Sequence, residues 1–165
     1  MATFSCRNQS TAVVPAPRAE IWTVLSDPDA LADLTPLVSG ITADGDEWCW
    51  QLTRIKALGV GVEPNFTERM DFREGTHIGF RHDDRATDER AGAEGTYELA
   101  DTDDGGTKLS IDITIEVELP LPKVSKKAVE KVMATMMAKT GDRFARNLYE
   151  RLGLDPAAAT VPAAA

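Results

Sequence analysis

The sequence predicts an α+β domain in which an antiparallel sheet packs against one long C-terminal α-helix, with two short helices after the first strand. Three observations carry this reading. The stretch KLSIDITIEVELPLPK, 108–123, places Leu109, Ile111, Ile113, Ile115, Val117 and Leu119 at alternate positions with polar residues between them. That period of two is a strand with one dry and one wet face. The following stretch, VSKKAVEKVMATMMAKTGDRFARNLYERLG, repeats apolar residues at steps of three and four from Val129 through Met133, Met137, Phe144 and Leu148 to Leu152. That is the period of a helix face. Between the N-terminal third and this pair lie several short alternating segments joined by turn-forming residues, the pattern of an antiparallel meander.

Taken in order, Phe4 to Val14 suits a first strand. Pro17 opens a short helix with Ile21, Trp22 and Leu25 on one face, because a proline loses nothing at a helix start. Asp27 before Pro28 is a second start signal, for a helix carrying Leu31 and Leu34. After Gly40, EWCWQLTRI puts Trp48, Trp50 and Leu52 on one face, and NFTERMDFREG does the same for Phe66, Glu68, Met70 and Phe72. THIGFRHDD aligns Ile78, Phe80 and His82, and AGAEGTYELA aligns Tyr97 and Leu99 ahead of a DTDDGG hairpin turn. The KALGVGVEP segment predicts a mobile apolar hairpin with Leu58, Val60 and Val62. Pro120 and Pro122 end the long strand, since neither has a ladder donor. About 30 helical residues at ~1.5 Å each then make a rod of ~45 Å, enough to cross the domain. Gly153 stands at the C-cap position.

The chain has 165 residues, enough for one domain that buries roughly 70% of its unfolded surface. We place that domain at 1–154 and read the Ala- and Pro-rich 155–165 as a disordered tail. A net charge of −9 disfavours nucleic acid and anionic lipid surfaces as partners. Cys6 and Cys49 are far apart with no CxxC motif, and His77 and His82 fall on opposite strand faces, so no metal site is expected. No cofactor motif is present: the GxG of ALGVGVEP lacks the third glycine, the Lys-Ser/Thr pair and the helix of a phosphate loop. The absence of a basic leader or an apolar run of about 18 residues makes the expected location cytoplasmic. A monomer or homodimer is expected.

The order of strand, two short helices, meander and long C-terminal helix resembles the START/polyketide cyclase superfamily (SRPBCC), the helix-grip fold. The segment VPAPRAEIWTVLSDPDALADLTPLV is similar to the family's opening, and the likeness of element order runs from Phe4 to Leu154. The resemblance implies a sheet curved around the helix, with a cavity between them closed at one end by the short helices. It also implies a hydrophobic small-molecule partner such as a lipid, polyketide, sterol or quinone.

On that curved sheet the polar residues sharing the dry face become candidates for chemistry: Glu68, His82 and Tyr97. A carboxylate at Glu68 either pairs with an arginine at a strand end or, in an apolar cavity with raised pKa, anchors a ligand or moves a proton. His82 adjoins the charged DDRATDER, which reads as a solvated hairpin tip. For ligand contact the candidates are Trp48, Trp50, Phe66, Met70 and Phe80 on the sheet, with Glu68 and Tyr97 among them. On the helix they are Met133, Met137 and Phe144, all of which also suit ordinary core. Two functions follow, binding of a hydrophobic molecule or, as the alternative, aromatase/cyclase or dehydratase chemistry by Glu68, His82 and Tyr97. A protein-interaction module working through the outer sheet face would need no cavity.

Overall fold

The computed structural model describes residues 1–159. Strand β1 (Ala2–Val14) leads into helices α1 (Arg18–Leu25) and α2 (Pro28–Leu34). Strands β2 (Val38–Asp44), β3 (Glu47–Leu52), β4 (Ile55–Ala57), β5 (Val60–Val62), β6 (Asn65–Arg73), β7 (His77–His82), β8 (Ala91–Asp101) and β9 (Thr107–Leu119) follow, then helix α3 (Lys126–Arg151). Seven strands form one antiparallel sheet in the order β1-β9-β8-β7-β6-β3-β2, while β4 and β5 pair as a separate hairpin. The predicted fold class is therefore observed: one long helix, two short ones and an antiparallel sheet.

Local chemistry explains the boundaries. The Asp27 side chain caps α2 by accepting from the Asp29 and Ala30 amides, with Pro28 at the first helical position. After Pro120 and Pro122, a 3₁₀ turn at Lys123–Ser125 precedes α3. The helix proper thus has 26 residues, or ~39 Å. It ends in a Schellman arrangement: Gly153 has φ +73°, its amide donates to the Glu150 carbonyl, and the Leu154 amide donates to that of Tyr149. The hairpin β4–β5 turns through Leu58 (φ 53°) and Gly59 (φ 77°), the doubled left-handed geometry of a tight hairpin.

The ladder between β1 and β9 runs from Ala2↔Leu119 to Val14↔Thr107 without interruption. It extends the first strand two residues beyond the predicted start. Helix α3 approaches β1 and α2 closely. Near its C-terminus the Asn147 side chain donates to the Leu34 carbonyl (2.9 Å), and the Tyr149 hydroxyl donates to that of Val13 (3.3 Å). Near its N-terminus Val129 is buried with Ala2 and Phe4. The segment read as a disordered tail is ordered in part. Asp155 caps a 3₁₀ turn at Pro156–Ala158 by accepting from the Ala157 amide, and Ala159 packs on the main core. Residues 160–165 lie outside the described residues.

One glycine permits the sheet's close approach between strands. A Cβ on Gly95 in β8 would sit 1.9 Å from the Asp112 carbonyl oxygen of β9 and 2.9 Å from the Phe80 ring. Gly141 in α3, by contrast, has nothing within 4 Å of its would-be Cβ. Gly95→Ala is expected to destabilise the protein by about 2–3 kcal/mol through forced strand separation. Gly141→Ala is expected to stabilise it by about 0.5–1 kcal/mol. Urea unfolding followed by circular dichroism reads both, and equal midpoints for the two variants would contradict this account of the sheet.

Candidate functional site

Register decides which side chains meet. Trp48 pairs with Glu68 and Trp50 with Phe66 across β3 and β6, and Met70 pairs with Phe80 across β6 and β7. Ile78 pairs with Tyr97 across β7 and β8, and Tyr97 with Ile111 across β8 and β9. Because side chains alternate along a strand, all of these project from one face of the sheet. The aromatic residues interlock there: Trp50 stacks on Phe66 at 6.1 Å, and Phe80 tilts against Tyr97 at 5.4 Å. Phe72 joins Trp48 (5.6 Å) to Trp22 of α1 (6.2 Å, edge-on).

Glu68 lies within this apolar face at 2% exposure. Burial raises its pKa to about 8, and the neighbouring Trp50 indole N–H opposes that shift. Yet the two groups are adjacent rather than bonded: Glu68 Oε2 and Trp50 Nε1 are fully buried and neither has a hydrogen-bond partner among the described residues. The reading of Glu68 as an arginine-paired strand-end residue is thereby corrected. The nearby arginine, Arg69, points to the outer face, where it bonds Asp46, Glu47 and Asp83. Tyr97 is buried close enough to Glu68 that burial first, and the Glu68 charge second, push its phenol above the ordinary value. The structure therefore brings Glu68, Trp50 and Tyr97 together.

His82 is the exception among the three residues considered for chemistry. It pairs with Glu68 in register, but its Nε2 lies 2.8 Å from Glu89 Oε2, and its ring covers Gly92. Glu89 also accepts from the Thr67 amide and hydroxyl, both at 2.7 Å. The loop after β7 is pinned by Asp83, 3% exposed, which bonds Arg69 and Arg85. His82 thus lines a groove of about 270 Å³ with Glu94, Thr114 and Glu116 from the wet faces of β8 and β9. It is neither a solvated tip residue nor a partner of Glu68. Sequence reading missed Glu89, because nothing in DDRATDER marks which acid folds back on Thr67.

The helical candidates divide. Phe144 is buried in the main core beside Leu148 and Tyr149, and Met133 packs on the smaller Ala2, Phe4 and Val129 cluster. Met137 is only half-buried, as are Val132, Met136 and Thr140 on the same stretch of α3. Across from them Ile111, Ile113, Ile115 and Val117 of β9 are half-buried too, despite facing inward. A helix anchored near both ends leaves this middle stretch and the β9 wall incompletely covered. Both elements thus carry half-buried apolar surface toward the interior. A second hollow of about 450 Å³ lies at the β4–β5 hairpin, lined by Arg54 and by Lys56 to Gly61. Neither hollow contains a buried unpartnered polar atom among the described residues, so the Glu68–Trp50 pair marks the interior as the chemically unusual place.

No helix among the described residues is long and apolar enough to cross a membrane. Comparison with curated proteins found no match. Among solved structures, a conserved protein from Geobacillus kaustophilus superposes with TM-score 0.68 at 17% identity, covering 89% of this chain and 95% of that one. An aromatase/cyclase from Streptomyces sp. R1128 gives 0.66 at 15% identity, covering 90% and 94%. A START superfamily protein from Mycobacterium smegmatis gives 0.61 at 18% identity, covering 89% and 97%. At these identities the likeness establishes the fold. Residues 5–152 match the family model described as polyketide cyclase / dehydrase and lipid transport, and the chain, matched over most of its length, belongs to that family.

Proposed function

We propose that the protein binds a hydrophobic or amphipathic small molecule, such as a lipid or polyketide, in a cleft that opens between the dry face of the sheet and α3. One observation carries the proposal: an otherwise apolar interior holds a carboxyl and an indole N–H whose hydrogen-bonding capacity is unused. An unmet buried polar group typically costs about 1–3 kcal/mol, and a ligand supplying the missing partner recovers it. The half-buried Ile111 to Val117 and Met136 to Met137 surfaces supply an adaptable apolar wall. Ligand contacts are assigned to Trp48, Trp50, Phe66, Glu68, Met70, Phe80, Tyr97 and Met137. Native mass spectrometry of the purified protein, followed by denaturation and solvent extraction, is expected to release a stoichiometric hydrophobic molecule. A protein that stays empty when incubated with lipids and aromatic polyketides would exclude this reading.

A second reading rests on a separate observation, the Glu68 carboxyl held near neutrality beside the Tyr97 phenol. A carboxyl with a pKa near the working pH is suited to transferring protons in both directions, and a buried phenol polarises a carbonyl. Cyclase or dehydratase chemistry would then fall to Glu68 and Tyr97, without His82. Under this reading Glu68→Gln abolishes turnover of an aromatic polyketide while binding persists; retained turnover would remove Glu68 from the chemistry.

The buried carboxyl also makes stability depend on pH. Well below pH 4.5, Glu68 is protonated folded or unfolded. Between about 4.5 and 8 the unfolded chain gives up that proton while the folded chain keeps it, so stability falls as pH rises and levels off above 8. Glu68→Gln is expected to match the parent in unfolding free energy at pH 4.5 and to exceed it at pH 9 by roughly 3–5 kcal/mol. Parallel urea curves at both pH values check the sign.

A further inference from the structure

Resting on that binding reading, we infer that Glu68 and Trp50 form a two-donor anchor that holds one neutral oxygen of a flat aromatic ligand, a ketone or quinone carbonyl. Trp50 and Glu68 stand on adjacent strands of the same face, offset by one pair: Trp48 faces Glu68, and Trp50 faces Phe66. Side chains so placed are within reach of a common atom. The indole nitrogen is a donor only, and a protonated carboxyl donates as well. A carbonyl oxygen has two lone pairs, so a single atom satisfies both unpartnered groups. The nearly parallel Trp50 and Phe66 rings, 14° apart, offer planar surface beside that point.

Other head groups fit less well. A cationic amine would need Glu68 ionised and would leave the indole N–H facing a positive charge. A fatty-acid carboxylate would bury a second acid where no cation faces Glu68. From β3 the inward neighbours are Trp48 and Trp50, from β8 Tyr97, and from β7 His82, which is turned to Glu89. On α3, Val132, Met133, Met136, Met137, Thr140 and Phe144 are uncharged, and its half-buried acid, Glu130, acts on Cys6 of β1 and pairs with Lys126, while Glu20, Asp27, Asp29 and Asp33 of the short helices are exposed. Burial keeps the Glu68 proton in place at neutral pH. Ionisation removes one donor and repels the ligand oxygen, so the anchor releases its ligand as pH rises through about 8.

The test uses four probes of one shape, 9-fluorenone, fluorene, 9-aminofluorene and fluorene-9-carboxylate, titrated calorimetrically into the full chain at pH 6.5 and 9.5. Fluorenone is expected to bind ~10-fold tighter than fluorene at pH 6.5 and to lose that advantage at pH 9.5. Glu68→Gln, whose amide still donates, keeps fluorenone binding and removes its pH dependence. Trp50→Phe, which also trims the planar wall, weakens fluorenone ~10-fold more than it weakens fluorene at pH 6.5. His82→Gln, which removes a titratable neighbour, leaves the pH profile as it was. Equal binding of fluorenone and fluorene at both pH values would overturn the anchor while leaving the cleft reading intact. Tightest binding by the amine or the carboxylate would also overturn it. Failure of all four to bind overturns both the anchor and the cleft reading for planar ligands, whereas a lipid recovered by extraction would keep the cleft and overturn the anchor alone.

Discussion

The pairing of the first strand with the last is the constraint on which the rest depends. With β1 bonded to β9 along its whole length, the chain's N-terminal strand forms an edge of the sheet next to the strand that feeds α3. The helix can therefore return across the sheet and pack on β1, tying Val129 to Ala2 and Phe4 near one end and Tyr149 to Val13 near the other. Thr107, fully buried, donates to the Ala16 carbonyl and ties the start of β9 to the loop before α1. Long-range pairing of this kind is slow to form because its loop closure spans most of the chain. Once formed, it positions the helix independently of the interior surface beneath its middle.

That independence bears on the interior. A helix held along its full length by core packing would cover β9 completely, and its residues would be buried as Leu109 and Leu148 are. Here the anchors lie toward the ends, and the central aliphatic face of β9 stays half-covered. Fully dry packing is replaced by half-open apolar surface, and under the proposed binding reading the stability forgone there would be recovered on binding by mass action. Farther across the same face, β3, β6, β7 and β8 bring Trp50, Glu68, Phe80 and Tyr97 together through regular ladders.

Much of this was legible in the sequence because strand and helix periods are local. The alternation around Phe66, Glu68 and Met70 placed Glu68 on the dry face, and the apolar alternation from Leu109 to Leu119 identified the long strand β9. Asp27 followed by Pro28 marked α2 through cap chemistry that needs only neighbours. What periodicity could not supply was anything set by pairing partners. Trp50 read as flat apolar surface, since its unbonded N–H becomes meaningful only after the β3–β6 register sets Glu68 diagonal to it. His82 shared the parity of Phe80, yet Glu89, seven residues on, captures its ring. The order of 155–159 likewise depends on a side-chain cap and on contact with the core.

The placement of Glu68 and Trp50 also limits how the site can vary. A slip of one residue in either strand would send one of them to the wet face, where Arg69 and Glu47 already form an ion pair. That outer network, with Asp83 buried between Arg69 and Arg85, opposes such a slip, because breaking it would leave a buried carboxylate without its cations. Acids thus lie on both sides of the sheet under opposite conditions: Asp83, in the loop after β7, is compensated by Arg69 and Arg85, and Glu68 has no cation partner among the described residues. A fold selected only for stability would pair or replace the second carboxyl, since apolar substitution there removes the desolvation cost. An unpaired carboxyl next to an unbonded donor is the arrangement that the proposed binding role would use and that a core does not need.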